Sequence, residues 1–262
     1  MSDWDPNMYL EFDRERTQPS IDLAMRIKMD QPGRIIDIGC GPGNSTNVLK
    51  ARWPRSVIIG LDKSSVMIAE AALKYPAVEW ICADASDGLP RLGTFDIVFS
   101  NAAIQWMPNH KLLLHNLFNS LNPGGVLAIQ APDTGRMPVY TELVKLAQSD
   151  RWAACFADLS GAPSVNDAAY YYNIICNISD EIALWETRYF HVMDSHADIV
   201  KWYSGAGLKP YLDCLGDGPL QAEFMTDFKN ALKTVYPIQP DGKILFPFTR
   251  IFFIINKGLN SK

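Results

Sequence analysis

Dense runs of Lys or Arg are missing from this 262-residue chain, and its 24 basic residues are outnumbered by 29 acidic ones, for a formal charge of −5. Nucleic-acid binding draws much of its affinity from neutralising phosphates, so no nucleic-acid partner is expected. Long apolar runs are missing too. No stretch approaches the roughly 18 apolar residues of a membrane helix. The opening MSDWDPNMYL has neither the basic region nor the apolar segment of a signal peptide. The expectation is a cytoplasmic protein with no membrane partner. Cysteine is sparse: Cys40, Cys82, Cys155, Cys176 and Cys214 are an odd number with no Cys-x-x-Cys pair, which points to buried thiols rather than a disulfide framework or a zinc ribbon. The histidines at 110, 115, 191 and 196 form two pairs five apart. Two imidazoles share a helix face at a spacing of four, so no metal site is expected. Internal repeats and low-complexity linkers are also absent.

What remains is the balance of an ordinary globular chain, 48% hydrophobic and 20% charged, long enough for one large domain with an insertion or a small second lobe. Apolar runs at 34–39, 57–62, 78–83, 95–100 and 125–131 have the length and continuity of strands covered on both faces. Between them, 44–53, 64–75 and 110–121 read as helices, the last closed by Asn-Pro-Gly-Gly. The alternation predicts right-handed crossovers and a doubly wound α/β domain. After residue 132 the pattern changes. Residues 139–160, 164–177, 195–206 and 219–236 read as helices, and the aromatic-rich 182–193 and 244–256 as late strands, an antiparallel pair at the sheet edge.

The first strand runs into IIDIGCGPGN, which puts Gly39, Gly41 and Gly43 on alternate positions before a helix. Such glycines let backbone approach a ligand where a Cβ would collide, and the following helix offers free N–H groups. The dinucleotide fingerprint would need a third glycine at position 44, which is Asn44. Asp62 ends the second strand, where a carboxylate can accept from both hydroxyls of a ribose. Asp84 ends the third, and with the backbone at Ala85 it could read the edge of an adenine. After strand four, SNAAIQWM sets Asn101 and Ala102 along the floor of a reactive end and places Gln105 and Trp106 as positioning residues.

In order along residues 34–131, DIGCGPGNST, GLDKSSVMI, ICADA, FDIVFSNAAIQWM and LNPGGVLAIQ closely resemble the motifs of the class I methyltransferases that use S-adenosylmethionine. The resemblance implies a mostly parallel, seven-stranded, Rossmann-like sheet with an inserted helical lid. It divides the chain into an N-terminal lid segment at 1–30, a cofactor-binding core at 31–132, and a helical substrate lid interleaved with the last strands at 133–262. It also implies that Gly39, Gly41 and Gly43 flank the methionine part of the cofactor, that Asp37 helps place its amino group, that Asp62 holds the ribose with Lys63 and Met67 nearby, and that Asp84 and Ala85 meet the adenine. The opening segment with AYYYNIIC, TRYFHVM, GLKPYL and FPFTRIFFI extends the resemblance nearly end to end, to the trans-aconitate methyltransferase family. That family forms a monomethyl ester on one carboxylate of a small polycarboxylate.

A carboxylate is already ionised at neutral pH, so no catalytic base is required. Its other carboxylates call for Arg, His, Tyr and amide donors. Arg16, Trp106, Tyr170, Tyr171, His191 and Arg250 are the candidates. All but Trp106, which the loop itself puts at the reactive end, have a plainer reading: an exposed helix-start charge for Arg16, core packing for His191 and the tyrosines, and an ion pair or edge-strand guard for Arg250. Trp4, Tyr9, Phe12, Arg16 and Gln18 form either an amphipathic helix on the sheet or a closing lid, in which case Tyr9 and Gln18 touch the cofactor. A nicotinamide oxidoreductase, a non-catalytic binding module, and a methyltransferase for another small acid or for nitrogen or carbon are the alternatives. A monomer is expected.

Overall fold

The computed structural model describes residues 13–85, 89–159, 163, 166–205 and 207–259. The apolar runs become β1 (Arg34–Ile38), β2 (Val57–Asp62), β3 (Glu79–Cys82), β4 (Phe95–Asn101) and β5 (Leu121–Pro132), and the two aromatic runs become β6 (Ile182–Met193) and β7 (Ile244–Asn256). They form one sheet in the order β3-β2-β1-β4-β5-β7-β6. Strands β1 to β5 pair in parallel, and β7 runs antiparallel to β5 with β6 beyond it at the edge. The fold is therefore the doubly wound, mostly parallel seven-stranded sheet expected from the sequence. The strand order reverses at β1, which lies between β2 and β4. In open α/β sheets the crevice beyond the carboxyl ends of the strands at such a reversal is where ligands bind.

Helices α1 (Asp13–Arg26), α2 (Asn44–Arg52), α3 (Ser65–Lys74) and α4 (His110–Asn119) accompany these strands. Their starts have local causes. Gly43 precedes α2 in the left-handed region, while the Ser64 side chain accepts from the Met67 amide and Asn109 accepts from the Leu112 amide. The Asn-Pro-Gly-Gly run does not follow α4 as a loop. The helix stops at Asn119, Leu121 already begins β5, and the β4–β5 register shifts between Phe95 and Ile97 to absorb the turn residues.

Downstream lie α5 (Pro138–Ala147), α6 (Ala168–Ile175), α7 (His196–Ser204), α8 (Lys209–Leu215) and α9 (Pro219–Val235). The helix expected over 139–160 is shorter because Ser149 turns the chain. Its hydroxyl donates back to the Leu146 carbonyl, and a 3-10 turn takes over at Ala153–Phe156. The seven-residue α8, ended by Gly216 at φ 63, is too short to show a helical period in sequence.

The chain divides into two compact units. The sheet-bearing unit takes residues 13–132, 166–187 and 250 onward, so α1 falls in it. Its core joins Ile36, Ile38, Val98, Leu127 and Ile129 of the central strands to Leu114 and Leu117 of α4 and Phe253 of β7. The second unit, residues 133–165 and 188–249, is mainly helical and has its own aromatic core. Trp152, Trp202, Tyr203, Phe224, Phe228 and Phe246 are almost fully buried there. Burial of side chains of this size stabilises by about 1.5–3 kcal/mol each.

Candidate active site

The glycine turn leaves β1 with Gly39, Gly41 and Gly43 all in the left-handed region, at φ 68, 54 and 91. Their roles differ. A Cβ on Gly39 would lie 2.2 Å from the Ala103 Cβ, and one on Gly43 would lie 2.7 Å from the Trp80 ring. These two glycines pack the turn against the protein. A Cβ on Gly41 would meet nothing within 4 Å, so its backbone faces open space. The Gly41 amide donates to Asp62 Oδ2 and the Ser64 amide to Asp62 Oδ1, both at 2.9 Å. Asp62 thereby ties the turn to the start of α3, and each carboxylate oxygen keeps a lone pair for another donor.

Asp37 lies beneath the turn with no exposed surface. Its Oδ2 accepts from Ser45 Oγ and Thr46 Oγ1, both at 2.6 Å, and its Oδ1 is buried without a partner. Burial pushes its carboxyl up to about 6, against the opposing pull of the two hydroxyls. A buried carboxylate oxygen with no donor is costly, and a ligand ammonium nearby would offset that cost. The open face at Gly41 and the unsatisfied Asp37 thus fit a cofactor with a cationic amino-acid end. Met67 and Ala85 are buried, Lys63 and Asp84 exposed.

The loop after β4 is held from three sides. Ala102 sits at φ 54, a strained conformation for a residue with a Cβ. Its amide donates to the Gln130 carbonyl at 2.9 Å and its carbonyl accepts from Gln105 Nε2 at 2.7 Å. Gln105 is buried with Oε1 unpartnered, as is Asn101 Oδ1. Below them, His110 Nε2 donates to the Ile104 carbonyl at 2.8 Å, because a carbonyl can only accept. Its Nδ1 is then free to accept from the Tyr171 hydroxyl and Asn166 Nδ2, each at 3.1 Å. Burial holds the His110 pKa below its usual value, so the ring is neutral.

Arg250 on β7 is 4% exposed, and its Nη1 donates to Gln130 Oε1 at 3.2 Å. Gln130 is fully buried near the carboxyl end of β5, where Asn101 is its neighbour on β4. The sheet unit thus brings together Arg250, Asn101, Ala102 and Gln105, which the sequence singled out, around a residue it did not. Arg16 is buried on α1. Tyr171 is 1% exposed, with its hydroxyl on His110 and its ring packed on His110 and Phe253, so the core-packing reading describes its contacts. Tyr170 and Gln18 are exposed, and Gln18 Nε2 donates to Asp22 on the surface of α1. His191 belongs to the other unit, with its ring 4.8 Å from that of Trp202 and near Phe246 and Phe248. Tyr9, Trp4 and Phe12 lie outside the described residues.

A methyltransferase-domain model matches residues 35–125, the stretch from β1 into β5. A trans-aconitate 2-methyltransferase from Methylobacterium nodulans is 40% identical over 258 residues, covering 98% of this chain and 99% of that protein. The chain belongs to the trans-aconitate 2-methyltransferase family. A relative of the same name from Escherichia coli O157:H7 is 38% identical over 98% of this chain and 99% of its own length. Among solved structures, a phosphoethanolamine N-methyltransferase 2 from Haemonchus contortus, in complex with S-adenosylhomocysteine, superimposes with a TM-score of 0.58 over 92% of this chain and 52% of that one, at 16% identity. That likeness is one of fold.

In this member of the trans-aconitate 2-methyltransferase family, sequence reasoning missed Ser45, Thr46, His110 and Gln130. The hydroxyl pair had a signal, since Ser-Thr directly follows the glycine turn. Gln130 had one as well, as the polar residue in the apolar run GVLAIQA. Among the described residues no group of three His, Cys, Asp or Glu side chains could hold a metal ion, and no helix is long and apolar enough to cross a membrane.

Proposed function

We propose that this chain transfers a methyl group from S-adenosylmethionine to one carboxylate of trans-aconitate, giving the monomethyl ester and S-adenosylhomocysteine. The observation that carries this reading is that the identity to relatives of that name spans 98% of the chain, through β7 and Arg250, and not the glycine-turn region alone. S-adenosylmethionine, when bound, supplies a methyl group on a sulfonium that leaves as a neutral thioether.

The chain's own residues bind and orient. Gly41 presents bare backbone, Asp37 faces the amino group, and Asp62 takes the ribose hydroxyls on its remaining lone pairs. Gly39 and Gly43 keep the turn in place, Lys63 and Met67 flank the ribose, and Asp84 with Ala85 meets the adenine. Asn101 and Ala102 line the reactive end. The acceptor carboxylate, with a pKa of roughly 4, needs no base to become a nucleophile. Its in-line approach at roughly 3 to 3.5 Å and its desolvation are the barriers the protein must lower. Gln105 and Trp106 position it, while Arg250, Arg16 and Tyr170 are the donors proposed for the remaining carboxylates; the Tyr171 hydroxyl proton is taken by His110, and His191 belongs to the other unit. His110, with both ring nitrogens engaged and the ring neutral, is not available as a base.

The protein acts as a cytoplasmic monomer on this small polycarboxylate, with no nucleic-acid or membrane partner. The second reading keeps the same site for another small carboxylic acid. Methyl transfer from labelled S-adenosylmethionine to a panel of di- and tricarboxylic acids, read by product mass and base-labile release of the label, tests both. Trans-aconitate is expected to be the best acceptor. No ester with any polycarboxylate would overturn the reading.

A further inference from the structure

We infer that the side-chain amide of Gln130 is a carboxylate-binding group of the acceptor site, donating from Nε2 to a carboxylate that Arg250 also grips. This rests on the carboxyl-methylating function proposed above and assigns a residue to its acceptor.

The amide orientation is fixed by chemistry. A guanidinium has donors and no acceptor, so the atom of Gln130 that meets Arg250 Nη1 at 3.2 Å must be the oxygen. Nε2 therefore points away from Arg250. It is buried in a fully buried side chain and has no hydrogen-bond partner. A buried amide donor without a partner carries the full desolvation penalty of the group, which makes it unexpected in a strand interior unless something else completes it.

Its neighbour does not complete it. Asn101 stands opposite Gln130 in the β4–β5 register and carries an unpartnered Oδ1, yet the two amides are not bonded to each other. The backbone at this point is already committed, with the Gln130 carbonyl taking the Ala102 amide and the Ala102 carbonyl taking Gln105 Nε2. A hydrogen-bonded line thus runs from Arg250 through Gln130 to the loop that carries Gln105 and Trp106. A carboxylate bridging Arg250 and Gln130 Nε2 would satisfy the amide and fix its bearer relative to that loop. One residue then has two duties: its oxygen sets the plane of the guanidinium, and its nitrogen adds a neutral donor. A neutral donor suits a site meant to hold one carboxylate tightly enough to aim another.

The test uses the full-length protein saturated with S-adenosylhomocysteine. The side-chain NH2 signals of Gln130, assigned by their loss in Gln130→Met, are followed by 15N NMR while trans-aconitate is added, with tricarballylate and succinate as further probes. The signals are expected to shift and saturate with the acceptor. In turnover assays Gln130→Met is expected to raise the acceptor KM at least 30-fold, with kcat and S-adenosylhomocysteine affinity within about threefold of wild type. Gln130→Glu keeps an oxygen for Arg250 and removes the donor. The added negative charge sits where the acceptor carboxylate is proposed to bind, so its acceptor KM should rise above that of Gln130→Met, whereas a residue that only braces Arg250 would leave the KM of Gln130→Glu near wild type. Signals unmoved by every carboxylate, as for a Gln130–Asn101 bond in solution, would overturn the inference. So would an unchanged KM in both variants. Saturating shifts without any ester product would leave the carboxylate site standing and remove the proposed activity instead.

Discussion

The Gly41 amide donates to Asp62 Oδ2 at 2.9 Å across 21 residues of sequence, so the turn after β1 and the end of β2 are one unit before any ligand arrives. The second oxygen does the same for the Ser64 amide at the start of α3. Removing this carboxylate should cost twice, through the ribose contacts proposed for it and through a loosened turn. Asp62→Ala is expected to weaken S-adenosylhomocysteine binding by about 10- to 100-fold, the loss of one or two charge-assisted hydrogen bonds. Isothermal titration measures this directly. Affinity within threefold of wild type would remove Asp62 from the cofactor site.

Three glycines in one turn should answer differently to the same substitution. Gly39→Ala drives a methyl group to within 2.2 Å of the Ala103 Cβ and should unfold the turn, lowering the thermal midpoint steeply. Gly41→Ala meets no atom and carries only the strain of a left-handed φ, about 1–2 kcal/mol. It should stay folded and lose cofactor affinity. A Gly41→Ala protein that binds S-adenosylhomocysteine as wild type does would mean that the open face at Gly41 is not where the cofactor lies.

The sheet was legible because its signals are local. Buried parallel strands read as continuous apolar runs, so β1 to β5 and the aromatic β6 and β7 stood out within a few residues. The glycine spacing after β1 marked the turn before α2 in the same way. What stayed hidden depends on partners far away in the chain. Nothing in AYYYNII tells that the Tyr171 hydroxyl lies 3.1 Å from His110, 61 positions earlier, or which tyrosine faces inward. Gln130 and Arg250 are 120 residues apart and meet because β5 and β7 pair antiparallel with Pro132 opposite Arg250. Even the glycines were read only in part. Their spacing marked the turn, but that Gly39 and Gly43 serve packing while Gly41 faces open space depends on Ala103 and Trp80.

Arg250 tests whether the buried guanidinium serves the acceptor or the fold. Arg250→Lys keeps the charge but loses the planar fork that meets Gln130 Oε1. The expected result is an acceptor KM raised by at least tenfold, with S-adenosylhomocysteine affinity and thermal midpoint close to wild type. A parallel fall in cofactor affinity, acceptor affinity and stability would mark Arg250 as structural.

Asp37 gives the site a pH signature. Its folded-state carboxyl is raised from 3.8 to about 6, mainly by burial, so the ligand-free protein holds this proton more tightly than the unfolded chain does. The stability it contributes is therefore complete below about pH 4, declines as pH rises toward 6, and is gone above that. At neutral pH the ionised, half-satisfied carboxylate costs on the order of 3 kcal/mol relative to a group with an unshifted pKa. Asp37→Asn, which has no charge to bury, should raise the thermal midpoint of the ligand-free protein at pH 7.5 and lose that advantage at pH 4.5. The same substitution should weaken S-adenosylhomocysteine binding, because the cofactor's ammonium is the partner proposed for Oδ1. In wild type, binding near pH 6 should then release protons as the ammonium draws Asp37 into its ionised form. Titration calorimetry in buffers of different ionisation enthalpy reads that release. A binding enthalpy independent of buffer at pH 6, together with unchanged affinity in Asp37→Asn, would place the ammonium elsewhere.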